Sequence, residues 1–313
     1  MFDIELLKKQ IEAAEAKLRG EADAEYATEE SATVRRIEIC RAKEEEIGKL
    51  LKSSGISNDM VNRAEREVED ESTEALEKAQ KKLEGTPEEI LLEENEQVQS
   101  MELLRMSSIA TGASAGSHWW GGGNPYYCCG SINKHNEGGI TEGGYSCPKY
   151  AISGNKMYPW AYARGDGSLG WTDDNDVTVS NTLWFAYWPT AYSVVRPAAL
   201  VSIHGWYSIY SNDKWWNHKW AKIRIDVGID VSQNYWAGAT WINIKDRSRD
   251  NINENGRIDR LVTIVANPLA VGPGKWVLIP VTARLRVETE GGGTHGRLQF
   301  TGADFISASM LWI

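Results

Sequence analysis

The chain has 313 residues, a net charge of −10 and a pI near 5.2. That length predicts two folding units, and the acidic balance speaks against nucleic acid or anionic membrane as partners, which need basic patches. No apolar run is long enough for a transmembrane helix, and the first residues read as amphipathic helix with no cleavable signal peptide.

The charge is unevenly spread. Residues 1–106 hold 16 Lys and Arg against 28 Asp and Glu, a net of −12, with Phe2 and Tyr26 the only aromatics. Residues 107–313 hold 18 against 16, all 14 Trp and 25 of the 29 Gly. A charged segment poor in aromatics makes solvated helix, and one rich in Trp, Gly and alternating β-branched residues makes sheet. The expected fold is therefore α+β in two parts. An acidic helical bundle or coiled-coil stalk occupies 1–106, and an antiparallel all-β sandwich or jelly roll occupies 107–313, beginning with a Gly-rich, loop-dominated stretch at 107–176.

Residues 3–19 read as helix, with Ile4, Leu7, Ile11, Ala14 and Leu18 at the 3-4 spacing of a coiled-coil seam. The seam then thins to Ala and charge before apolar residues return at Val34, Ile37, Ile47, Leu50 and Leu51. Gly55 reads as a C-terminal cap, and Ser57 or Asn58 starts a second helix that Gly85 ends. Thr86-Pro87-Glu88-Glu89 is a capping box for a third helix reaching about Met106. Stripes this narrow do not support solitary helices, so self-association through the helical part is expected.

Beyond the Gly-rich stretch the period becomes two. Ala221 to Val231 and Val277 to Val287 alternate apolar with charged residues, so one face of each strand is buried and the other wet. Further strands are expected at 177–188, 198–210, 234–244, 258–266, 296–302 and 304–313. In 177–188 the core phase is Val177, Val179, Leu183, Phe185 and Tyr187, while Trp184 and Trp188 share the opposite phase with Thr178, Ser180 and Thr182. In 201–210, Trp206 and Tyr210 likewise share a phase with Ser202, His204 and Ser208. Aromatics on a polar phase mark an interface or a ligand platform, or else a face packed against another layer. Trp215 and Trp216 lie close by, among Asp213, Lys214, Asn217 and His218. Indoles mixed with donors and acceptors suit sugars, whose C–H faces stack on rings while their hydroxyls are hydrogen-bonded. Trp184, Trp188, Trp206, Tyr210, Trp215 and Trp216 are therefore the candidate ligand residues.

Other chemistry is thinner. Cys128, Cys129 and Cys147 can supply one disulfide around a Gly-rich loop. Asn251-x-Asn253-x-Asn255-Gly256 has calcium-loop spacing but Val262 where the twelfth-position acid belongs, and reads better as a turn. Nucleophile elbow, HExxH, P-loop and dinucleotide fingerprint are all missing, so neither metal nor cofactor is expected. The layout reads as a non-enzymatic binding protein, its β-sandwich recognising a cell-surface glycan or other surface ligand and presented in several copies by the helical segment. Extracellular space or a particle surface is the expected setting. A cytolytic toxin with a receptor-binding β-domain and membrane-active helices is the first alternative, and a structural subunit of a particle or filament the second.

Overall fold

The computed structural model describes residues 4–54, 59, 60, 63, 74, 119, 120, 125, 127–146, 155–166, 174–212 and 219–313. Among these the chain forms α1 (Ile4–Ser53), β1 (Trp119–Trp120), β2 (Tyr127–Asn136), β3 (Ile140–Gly144), β4 (Lys156–Met157), β5 (Trp160–Arg164), β6 (Asp174–Tyr187), β7 (Ser193–Val195), β8 (Ala198–Asn212), β9 (Trp220–Ile229), β10 (Thr240–Arg249), β11 (Asn251–Val265), β12 (Leu269–Val271), β13 (Val277–Glu290), β14 (His295–Gln299) and β15 (Phe305–Trp312). The strongest alternating runs fall on β6, β9 and β13, where period two was plainest.

A five-stranded antiparallel sheet runs β10-β9-β13-β6-β2, and an eight-stranded one runs β1-β15-β8-β14-β5-β3, with β11 pairing the other side of β8 and β4 pairing β15. β7 and β12 make a separate ribbon. Inward-facing Val177, Val179, Leu183 and Phe185 of β6 join Ile223, Ile225 and Val227 of β9 and Val201, Ile203 and Ile209 of β8 in one buried core. Each such side chain contributes about 1.5–3 kcal/mol by leaving water.

The stretch 107–176 is less loop-dominated than expected, since it supplies β2, β3 and β5. β5 buries only the small Ala161 and Ala163, and glycines conceal β2 and β3 by removing the side chains that would alternate. Neighbouring rings fill the space instead: a Cβ on Gly144 would lie 2.6 Å from Trp160 Nε1, and one on Gly130 2.7 Å from the Tyr145 ring. Abundant Gly and abundant aromatics are thus one property of the sheets, not two.

The expected helical bundle or coiled-coil stalk does not form among the described residues, where the chain is mostly antiparallel sheet. Instead α1 turns its seam onto the outward face of the five-stranded sheet. Leu7, Ile11 and Ala14 are 2%, 3% and 8% exposed, and they pack with Tyr127, Cys129, Trp184, Ala186, Trp276 and Leu278. Lys17 sits 5.2 Å from the Trp236 ring centroid, and Asn133 Nδ2 donates to Asp23 Oδ1 at 3.2 Å. A narrow stripe buries too little against another narrow stripe, but it suffices to cover an aromatic patch already built on a rigid sheet. The seam is therefore used within one chain. The helices expected at 57–83 and 86–106 and the join near 107 lie outside the described residues, apart from Asp59, Met60, Arg63 and Glu74, which are helical. Ile11→Ala should lower unfolding free energy in urea by about 2–5 kcal/mol without changing the sedimenting mass. Loss of an assembly with no loss of stability would contradict this docking.

Toward the opposite end of β6, Asp174 faces Glu290 and Asp176 faces Glu288 across β13, all four buried. Burial first, then the neighbouring carboxylates, pushes the Asp174 carboxyl up to about 8. Its folded-state value exceeds its unfolded one, so the native chain holds an extra proton between the two, and stability falls as pH rises through that window. Asp174→Asn should leave the urea midpoint nearly unchanged below the ordinary carboxylate range and raise it above about pH 8. Equal midpoints at both extremes would exclude this strain.

Candidate functional site

The six candidate residues do not form one surface. Trp184 of β6 and Trp188 just beyond it lie on the five-stranded sheet, in or against the cluster that α1 covers. Trp206 and Tyr210 of β8 face outward from the other sheet, on the opposite side of the sandwich. Trp215 and Trp216 lie outside the described residues. Burial is deep, with Trp184 0% and Trp206 and Tyr210 each 5% exposed. Trp184 Nε1 donates to Cys129 Sγ at 3.2 Å, and Trp188 meets Trp276 edge-on at 5.1 Å. Arg297 lies over Trp206 at 5.2 Å, and Tyr210 stacks on His295 at 5.6 Å. Burial, followed by Arg164 and Arg297, pulls the His295 pKa down to about 4, so its ring is neutral at neutral pH beside Ser208 Oγ at 3.2 Å.

The phase expected to carry ligand contacts on β6 does reach a concave site. A cleft open to solvent separates α1 from the five-stranded sheet. Its floor is the cross-strand row Cys129, Thr182, Thr282, Gly228 and Trp241, followed by Ser131, Ser180 and Arg284. Glu15, Leu18 and Arg19 of α1 overhang it, and Trp184 lines its β6 side. The Thr182 and Thr282 hydroxyls are 2.9 Å apart, and Arg19 donates to Glu15 at 2.9 Å. Trp241, 40% exposed, rests on Gly228, where a Cβ would come within 2.6 Å of the indole. The Arg284 guanidinium lies 4.5 Å from its centroid. Trp241 was overlooked in the sequence, although Trp241-Ile242-Asn243-Ile244 alternates and already placed the indole on the phase opposite the core. The lining combines one exposed indole, Trp241, backed by the buried Trp184, with four hydroxyls and groups of both charges, which suits polar rings.

Cys128 and Cys129 are consecutive on β2 and so point to opposite faces. Cys128 is in the core and disulfide-bonded; Cys147 lies outside the described residues. Cys129 is a free, buried thiol whose pKa is pushed up to about 12, chiefly by burial, so it carries no thiolate at neutral pH. Asn251, Asn253 and Asn255 lie on strand β11, extended along the ladder with β8 and not wrapped as a turn or calcium loop. No group of three His, Cys, Asp or Glu among the described residues can hold a metal ion. In native protein Cys129 should resist iodoacetamide and should react once α1 is displaced by Ile11→Asp, as read by peptide mass spectrometry. Rapid native alkylation would show that α1 does not cover it.

No known protein family matches the sequence, and no curated protein does. Among solved structures there is a likeness to TmCBM61 in complex with beta-1,4-galactotriose, at 13% identity over 49% of this chain and 69% of that one, with a TM-score of 0.15. A structure described as "CBM4 structure and function" gives 11% identity, 48% and 74% coverage and a TM-score of 0.14. Infectious bursal disease virus Gx strain gives 10%, 61% of each chain and 0.12. Scores this low leave the β-sandwich to rest on its own strand pairing.

Proposed function

We propose that the chain is a non-enzymatic binding protein that holds a surface glycan in the cleft between α1 and the five-stranded sheet, working outside a cell or on a particle surface. The observation that carries this reading is a floor of hydroxyls (Ser131, Ser180, Thr182 and Thr282) beside the exposed indole of Trp241. A sugar ring offers an apolar C–H face and a belt of hydroxyls, and this lining answers both. Gly228 supports Trp241 from beneath, so the indole needs little ordering before a ring meets it. Glu15, Arg19 and Arg284 add charged acceptors and donors, which make stronger hydrogen bonds than neutral groups do. Catalysis is the weaker reading, because the cleft's thiol is held protonated, chiefly by burial and further by the neighbouring Glu15 carboxylate. For a solvent-open cleft with one exposed indole, affinities near 1 mM, about −4 kcal/mol, are in keeping. α1 is the roof of the site here, and the reading involves no helical stalk.

A glycan array probed with the full chain supplies the ligand, and titration calorimetry on the strongest hit supplies the test. Trp241→Ala should weaken binding by about 1–3 kcal/mol with the urea midpoint nearly unchanged. Trp184→Ala should instead lower stability by about 3–5 kcal/mol, since that indole is wholly buried. A silent array, or hits that bind Trp241→Ala as well as the parent, would reject the cleft.

A further inference from the structure

A second site lies on the opposite side of the sandwich, where β14 and β5 pair. Arg297 stands opposite Tyr162, and Gln299 opposite Trp160. All four face outward, because Leu298, Ala161 and Ala163 take the inward phase and are buried in the core. The Arg297 guanidinium is seated over Trp206 and half-buried. Two other cations of this face are neutralised: Arg164 pairs with Asp166 at 3.0 Å, and Arg257 with Asp304 at 2.7 Å. Arg297 has no carboxylate within ion-pair distance among the described residues; Glu142 stands at the far side of Tyr162 in the same row and influences it only from a distance.

Its neighbours are also unclaimed. The Tyr162 hydroxyl makes no hydrogen bond among the described residues, and burial raises its pKa, which keeps it a neutral donor. Gln299 donates through Nε2 to Thr301 Oγ1 at 3.0 Å, while its Oε1 is buried with no partner. A cation and a phenol donor thus stand on facing cross-strand positions, each lacking what a ligand would bring. A half-buried guanidinium with no counter-charge is unfavourable unless something repays its lost hydration. Its planar fork matches a carboxylate, with two parallel N–H···O bonds.

We propose that this face binds a carboxylate-bearing sugar, the carboxylate lying on Arg297 and the Tyr162 hydroxyl and the ring lying toward Trp160. The site is separate from the cleft under α1 and stands whether or not that cleft binds glycan.

The test uses the full chain with an oligogalacturonate and its fully methyl-esterified form, which share shape and differ in charge. Calorimetry should show binding of the acid form, weaker at high salt, and binding of the ester reduced by roughly tenfold or more. Arg297→Gln should abolish the preference for the acid form, Arg297→Lys should keep part of it, and Trp241→Ala should leave it intact. Should Arg297→Gln fail to fold, Tyr162→Phe, which removes one hydroxyl, should still give a several-fold loss. Equal binding of acid and ester, no binding of the acid form, or a folded Arg297→Gln variant that binds like the parent would each overturn the proposal.

Discussion

The five-stranded sheet carries Tyr127, Trp184 and Leu278 on the face turned away from the core, and that face cannot be left to water. An indole hides roughly 150–250 Å² of surface, so covering Trp184 alone is worth about 4–6 kcal/mol. The first turns of α1 meet this demand with Leu7, Ile11 and Ala14. The result is three layers: helix, five-stranded sheet, eight-stranded sheet. Helix position follows from the aromatic patch, and the cleft follows from helix position. After Ala14 the seam offers only Leu18 before it gives way to Ala and charge. Where the large residues stop, α1 no longer fills the space above the sheet, and Glu15, Leu18 and Arg19 overhang a gap floored by small hydroxylic residues.

Both outward faces of the sandwich therefore differ from the usual wet face of an antiparallel sheet. One is roofed by α1 and keeps a cleft lined with hydroxyls and indoles. The other lays Arg297 over Trp206 and His295 against Tyr210, so its rings serve as supports for polar groups and not as open platforms. In each case the groups offered to solvent are the ones the buried aromatics hold in place. Gly228 beneath Trp241 and Gly144 beside Trp160 show the same economy of space, since a ring can lie on a strand only where the strand has no side chain.

Much of the fold was legible in the residues. Alternation in 177–188, 221–231 and 277–288 marks β6, β9 and β13, because sheets buried on one face leave a period of two. What alternation could not reveal was which layer covers the other phase. Trp184 and Trp206 look alike in sequence, each an aromatic among Ser and Thr, yet one lies under a helix and the other under an arginine. The 3-4 spacing of Leu7, Ile11 and Ala14 was ambiguous for a similar reason, since a stripe that fits a second helix also fits a sheet. β2 and β3 leave little alternation to read because glycine stands in for the apolar residue, and β5 because its buried positions are only Ala161 and Ala163. Arg297 and Tyr162 left no local signal at all, because their significance is a missing counter-charge that only cross-strand register discloses.

The central claim is that α1 is docked on its own chain and roofs the cleft. Amide hydrogen exchange over Leu7–Leu18, followed at two well-separated protein concentrations, tests it most directly. The account predicts slow exchange in this segment, approaching that of β6 and the same at both concentrations. Fast exchange there, or protection that grows with concentration, would contradict it, the first by showing the helix undocked and the second by showing that another copy supplies the cover.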